Sequence, residues 1–205
     1  MPHGFYVQPL LEGLGTGAAL IIAIGPQNAF VLKQGILKNH VFTTALLCAL
    51  IDATLIAVGV GGFGAFLASN ALLLTLSKWG GAAFLFYYGV RSFLAVAHSD
   101  SLEADLNHGK EKLKTTIMTI LALSFLNPHA YLDTVVLIGG IGAQFPSDQR
   151  LYFGEGAVVA SFIWFFTIAY GARYLGPLFK NPIAWKILDF LIGCIMWGIA
   201  YSLVF

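Results

Sequence analysis

Apolar residues fall into six long runs along this chain, at roughly 8–32, 41–68, 71–96, 115–142, 151–175 and 184–204, with short polar intervals between most of them. A helix needs about 20 mostly apolar residues to cross a hydrocarbon layer about 30 Å thick, and each run is long enough. The pattern therefore predicts an all-α integral membrane protein with six transmembrane helices. Only one polar interval has any size. The stretch HSDSLEADLNHGKEKLK, residues 98–114, mixes acids and bases and carries little apolar material. It divides one transmembrane domain, residues 1–205, into halves 1–97 and 115–205 of three spans each, joined by the linker 98–114.

Composition turns that pattern into a statement about solvent. The chain is 58% hydrophobic and 10% charged, with a mean hydropathy of +0.81. An ordinary soluble domain has about 25% charged residues. So few charges cannot cover a surface with a water-facing shell, and most of this chain must meet lipid. The net charge of +1 gives no sign of a nucleic-acid partner. No Lys or Arg precedes Lys33, which argues against a cleaved signal peptide, since that needs a basic leading region.

The charges also orient the spans. With six spans, the loops that carry Lys33, Lys38, Arg91, Lys110, Lys112, Lys114, Arg173, Lys180 and Lys186 share one side, and Lys78 and Arg150 lie on the other. The positive-inside rule places the first group in the cytoplasm, the linker 98–114 with it, and both termini outside. A five-span arrangement with one re-entrant run is the alternative. Lys78–Trp79 and Trp185–Lys186 read as headgroup-level anchors. Glu12, Glu155, Arg91 and Arg173 lie near span ends, and Asp189 is placed to pair with Lys186 at i, i+3.

The first run is interrupted. Residues 24–30 read IGPQNAF, a Gly25–Pro26 break followed by two carboxamides, Gln27 and Asn28. The fourth run carries Asn127-Pro128-His129-Ala130-Tyr131. Proline removes a backbone donor and clashes with the carbonyl one turn back. In hydrocarbon, a freed carbonyl costs several kcal/mol unless it finds a partner. Gln27, Asn28, Asn127 and His129 are placed to supply one. The same break also creates a half-helix N-terminus, whose free N–H groups and dipole suit a carboxylate. Both readings stand at this point.

Two acids lie inside spans. Asp52 is eleven residues into the second run, about 16 Å deep at 1.5 Å per residue. Asp133 follows Pro128 by five residues. A carboxylate at mid-bilayer costs about 2.5–3.5 kcal/mol on insertion scales. Each is either a polar anchor for helix packing or a site for a cation or proton. Competition of a proton with a cationic substrate for one carboxylate is a basis for antiport.

The two breaks echo each other: Pro, a polar residue, then Ala-aromatic. Gly81 and Gly89 in the third run match Gly193 and Gly198 in the sixth. Three spans per half would insert a duplicated half upside down. Inverted repeats with broken helices 1 and 4 are the architecture of secondary transporters. No catalytic pattern is present: Cys48 and Cys194 are far apart with no CxxC, and neither HExxH nor a nucleophile elbow occurs. No cofactor or metal site is expected.

The segments GPQNAFVLKQG (25–35), LCALIDATLI (47–56), WGGAAFLFYYG (79–89), LNPHAYLDT (126–134) and SFIWFF (161–166) resemble, in order, those of the LysE family of amino-acid exporters, in particular its basic-amino-acid branch. The resemblance covers essentially the whole chain. It implies a multi-pass carrier of the bacterial inner membrane that exports L-lysine or L-arginine, driven by protons or membrane potential. By that match Asp52 and Asp133 take the positions of the functional aspartates, and Gly25–Asn28 and Asn127–His129 those of the signature motifs. The expected partners are a basic amino acid, protons and the lipid bilayer, and the reading leaves room for a homo-oligomer. Exporters of other amino acids and of divalent metal cations are the alternatives.

Overall fold

In the computed structural model, residues 4–22, 25–63, 71–98, 111–127 and 130–204 are described, and among them the regular structure is helical throughout. The first apolar run forms two helices. α1 is Gly4–Ile21 and α2 is Pro26–Ile36, with axes 82° apart. Gly25 is extended (φ −119°, ψ 176°), and Pro26 opens α2, where its fixed φ suits the first turn and its missing N–H costs no helical bond. α3, Val41–Val58, runs on through a π-helical turn at Gly59–Phe63. α4 is Ala71–His98.

The fourth run is also in two pieces. α5 is Leu113–Phe125, α6 is the π-helical Tyr131–Ile138, and α7 is the short continuation Gly139–Gly142. α8 is Ser147–Gly171, followed by 3-10 turns at Ala172–Leu175 and Leu178–Lys180, and α9 is Pro182–Val204. Among the described residues three helices are long and apolar enough to cross a bilayer unbroken: Val41–Gly62, Ser147–Leu175 and Pro182–Val204. The bent pair α1–α2 adds a fourth if it is one span, and Ala82–Val96, Leu113–Phe125 and Asp133–Gly142 are shorter apolar helices.

α8 is the hub. It packs along α1, α3 and α2, while α4 pairs with α9. These contacts are close because small residues stand at them. A Cβ on Gly13 would run into the Phe153 carbonyl, and one on Gly156 into the Leu10 carbonyl, so α1 and α8 touch backbone to backbone. At the end of α3, a Cβ on Gly59 would lie 2.7 Å from the Val135 oxygen, and one on Gly139 would lie 2.6 Å from the Gly59 oxygen. Gly13→Leu should therefore force α1 off α8 and sharply reduce the monodisperse protein recovered in detergent. Gly15→Ala, where the added carbon meets nothing within 4 Å, should behave as wild type in the same size-exclusion assay.

Large apolar side chains cover the outside: Leu11, Leu72, Leu151, Ile163, Leu178 and Tyr201 are all more than half exposed. Such a surface is stable against lipid, not water.

Two expectations about charged and aromatic span ends are corrected. Trp185 is not a headgroup anchor. It is 1% exposed, stacks edge-on against Phe179 at 4.9 Å, and donates its indole N–H to the Phe179 carbonyl at 2.8 Å. Trp79, at 57% exposure, does face outward. Asp189 does not pair with Lys186. It lies on the same buried face of α9 as Trp185, Leu188 and Ile192, while Lys186 is exposed, so Asp189 takes its cation, Lys33, from α2.

Candidate functional site

The first turn of α2 points into the middle of the bundle. Asn28 there is 8% exposed. Its amide Nδ2 donates to the Ile21 carbonyl at 2.8 Å, and its Oδ1 accepts from the Trp164 indole at 3.2 Å. The carbonyl belongs to the last turn of α1, one of the groups a helix end leaves without an internal partner. Asn28 thus stitches α1, α2 and α8 together across the break, the task the carboxamides were expected to perform. Gln27 lies beside the Cys48 thiol on α3. Its buried Nε2 makes no hydrogen bond to the described residues.

One turn beyond Cys48 on α3 comes Asp52, 7% exposed. Its carboxylate accepts a 3.0 Å hydrogen bond from the Ser161 hydroxyl of α8. No ion pair reaches Asp52 among the described residues. A buried carboxylate with a neutral partner lacks the charge compensation that such a group requires. Something mobile, a proton or a cationic ligand, can supply it. Gln27 at the half-helix N-terminus and Asp52 thus lie on neighbouring helices, α2 and α3, both packed against α8.

Asp133 is half-buried in the first turn of α6. The next residues of α6, Thr134 and Val135, abut Gly59, two turns along α3 from Asp52. Asp52 therefore lies on α3 itself and Asp133 on α6, a neighbour that meets α3 at Gly59. Asn127, 9% exposed, follows the end of α5, and its carbonyl accepts from the Ala130 N–H at 3.1 Å. Pro128 and His129, expected to complete the second break, lie outside the described residues.

A second polar group occupies the other end of α2. Lys33 pairs with Asp189, the Gln34 amide donates to Glu111 Oε2 at 2.9 Å, and His40 Nε2 meets the Glu111 backbone oxygen at 2.9 Å. Three sites were not anticipated from sequence: Ser161, Glu111 and the Lys33–Asp189 pair. Only for Asp189 was there a signal, an acid at the spacing of the apolar face 185, 188, 192, 196.

Comparison with known proteins decides the family. The LysE type translocator family matches residues 18–205. This chain belongs to the LysE family. The family assigns it to transport rather than to enzymatic chemistry, and together with the apolar helices it makes this LysE-type translocator a multi-pass membrane protein. The chain is 44% identical over 193 residues to the arginine exporter protein ArgO of Yersinia enterocolitica, covering 94% of each chain. It is 42% identical to the arginine exporter protein ArgO of Escherichia coli, covering 94% of this chain and 91% of that one. For the namesake of Pectobacterium carotovorum the figures are 42%, 94% and 95%. These relatives support the basic-amino-acid branch of the family. No solved structure matches.

Proposed function

We propose that this LysE-type translocator exports a basic amino acid, arginine foremost and lysine with it, across the bacterial inner membrane in exchange for protons. The observation that carries the reading is Asp52: a carboxylate in mid-span, buried, held by a neutral hydroxyl, and one turn along α3 from Cys48, beside which lies Gln27 of the broken helix. A guanidinium or ammonium compensates that carboxylate, and so does a proton, so the two exclude each other. The free N–H groups at the start of α2 suit the substrate's carboxylate. Gln27 and Asn28 orient it, Asp133 is the second cation or proton site, and Asn127 and His129 serve the second break. The relatives' names support arginine as cargo.

Antiport follows from the driving force. Moving one positive charge outward against an inside-negative potential costs about 2.3 kcal/mol per 100 mV, and one inward proton cancels that movement. α2 packs on the 3-10 turn Ala172–Leu175 and its Gln34 reaches Glu111, which brings Lys33, Lys112 and Arg173 to one end of the bundle. That gathering supports a cytoplasmic face there.

Reciprocal packing supports two inverted three-helix halves. α4 and α9 run antiparallel with Gly89 against Trp197 and Gly193 against Phe93, the latter ring 2.6 Å from an added Cβ. Gly89 and Gly193 each precede their aromatic by four residues, so the contact maps onto itself when the helices are exchanged. Such self-complementarity is the signature of a two-fold axis. Between antiparallel helices that axis lies across them, in the membrane plane. Asp52 and Ser161 meet between α3 and α8, the other pair that the exchange interchanges.

Cells fed dipeptides and loaded with labelled arginine, lysine or norleucine test the reading. Efflux of the two basic amino acids should collapse on adding a proton uncoupler, and norleucine should not be exported. Mn²⁺ efflux in place of arginine efflux would favour the metal-exporter alternative.

A further inference from the structure

We infer that Asp189 is an entry site for the substrate's basic side chain, with Lys33 as its built-in occupant. The inference rests on the reading of the cargo given above. Asp189 is 3% exposed, and its side chain is 4% exposed against 23% for that of Lys33. The carboxylate is thus fixed inside, and the ammonium reaches it from the rim. That is the relation of a site to a ligand, and the ligand carries the same group as a lysine substrate.

An ion pair so placed adds little stability, because the cost of desolvating both charges offsets their attraction. It can still be exchanged. A free guanidinium binds a carboxylate through a two-pronged fork that a point-like ammonium cannot match. Lys33, once displaced, is free to take the carboxylate of the same substrate, so neither protein charge of the pair is left unmatched. The surroundings fit a ligand of mixed charge. Glu111 holds the Gln34 amide, and the Tyr88 hydroxyl lies within electrostatic range of Glu111, Arg91 and Asp189.

The exchange also bears on the deeper site. Lys33 sits in the last turn of α2, and Gln27 and Asn28 sit in its first, six and five residues earlier. Displacing Lys33 loosens the near end of a helix whose far end lies beside Cys48, one turn from Asp52. The turn after α2 is strained, with Lys38 at φ 52° and His40 at φ 46°. It is held by the bond of the His40 ring to the Glu111 backbone. The helix is thereby restrained at its inner end by a pair that the substrate can replace and by a turn under tension.

Cys48 reports on the opening. It is one of two cysteines, fully buried, one turn from Asp52. In inside-out vesicles carrying the full chain with Cys194→Ser, a membrane-impermeant thiol reagent should label Cys48 slowly. L-Arginine should speed labelling about tenfold, the scale of one charge-assisted hydrogen bond, and norleucine should not. Asp189→Asn should label quickly without arginine and raise the apparent KM for arginine about tenfold. Lys33→Asp combined with Asp189→Lys should restore slow basal labelling, which separates a lost ion pair from misfolding. If wild type carries arginine while Asp189→Asn keeps wild-type labelling and KM, the entry site is overturned and the cargo stands. If wild type neither carries arginine nor responds to it, the cargo is overturned and the entry site with it.

Discussion

Asp52→Asn is expected to reach the membrane at the wild-type level and to lose arginine export by about 10- to 100-fold. The magnitude is that of one hydrogen bond to a charged group, about 1.5–3 kcal/mol. The substitution keeps the side chain's size and the acceptor for the Ser161 hydroxyl, whose 3.0 Å bond joins α3 to α8. What it removes is the negative charge, and with it the attraction for guanidinium or proton. A fall in export without a fall in protein thus separates a transport role from a packing role. Asp52→Glu should recover part of the activity, since it restores charge with a longer reach. Measurement is by initial rates of labelled arginine efflux, normalised to membrane-extracted protein. Wild-type rates for the Asn variant would return Asp52 to the status of a packing anchor.

Asn28→Val is expected to cause the largest loss of stability. It leaves the Ile21 carbonyl and the Trp164 indole without their partners. Each unsatisfied buried group costs about 1–3 kcal/mol. For a chain of this length 1 kcal/mol moves the unfolding temperature by about 2–4 °C. The midpoint in detergent, followed by tryptophan fluorescence, should therefore fall by several degrees, and export should fall with it. Asn28→Asp keeps an acceptor for Trp164 but loses the donor to Ile21, so it should lie between wild type and Asn28→Val. A Val variant that unfolds at the wild-type temperature would mean that the break is held by other groups. The two experiments separate the halves of the α2 site, since one removes charge with packing intact and the other removes packing with Asp52 intact.

Much of this molecule was legible before any coordinate. Six apolar runs exist because oil must be met by apolar side chains over a fixed length, and length and hydropathy are sequence properties. The helix breaks at Pro26 and between α5 and α6 were equally plain, because proline's missing donor acts locally. Asp52 and Asn28 stood out by their cost: a carboxylate or carboxamide in hydrocarbon asks for a partner wherever it lies. Which partner answers is a different matter. Ser161 is 109 residues from Asp52, Trp164 is 136 from Asn28, and Asp189 is 156 from Lys33. No periodicity couples such distances. Asp189 illustrates the point: by spacing alone Lys186 was the natural neighbour, and only the rotation of α9 against its neighbours turned the carboxylate inward while Lys186 stayed outside.

By itself, then, the sequence determined the solvent, the helical class, the broken first span and the residue types too costly to be idle. The tertiary structure decided who meets whom: α2 turned 82° from α1 to face α3, backbones brought together at Gly13, Gly59 and Gly156, and Lys33 carried across to Asp189. The division has a physical cause. Desolvation and backbone geometry are set by each residue and its near neighbours, whereas pairing depends on how finished helices rotate and pack, which no single segment contains.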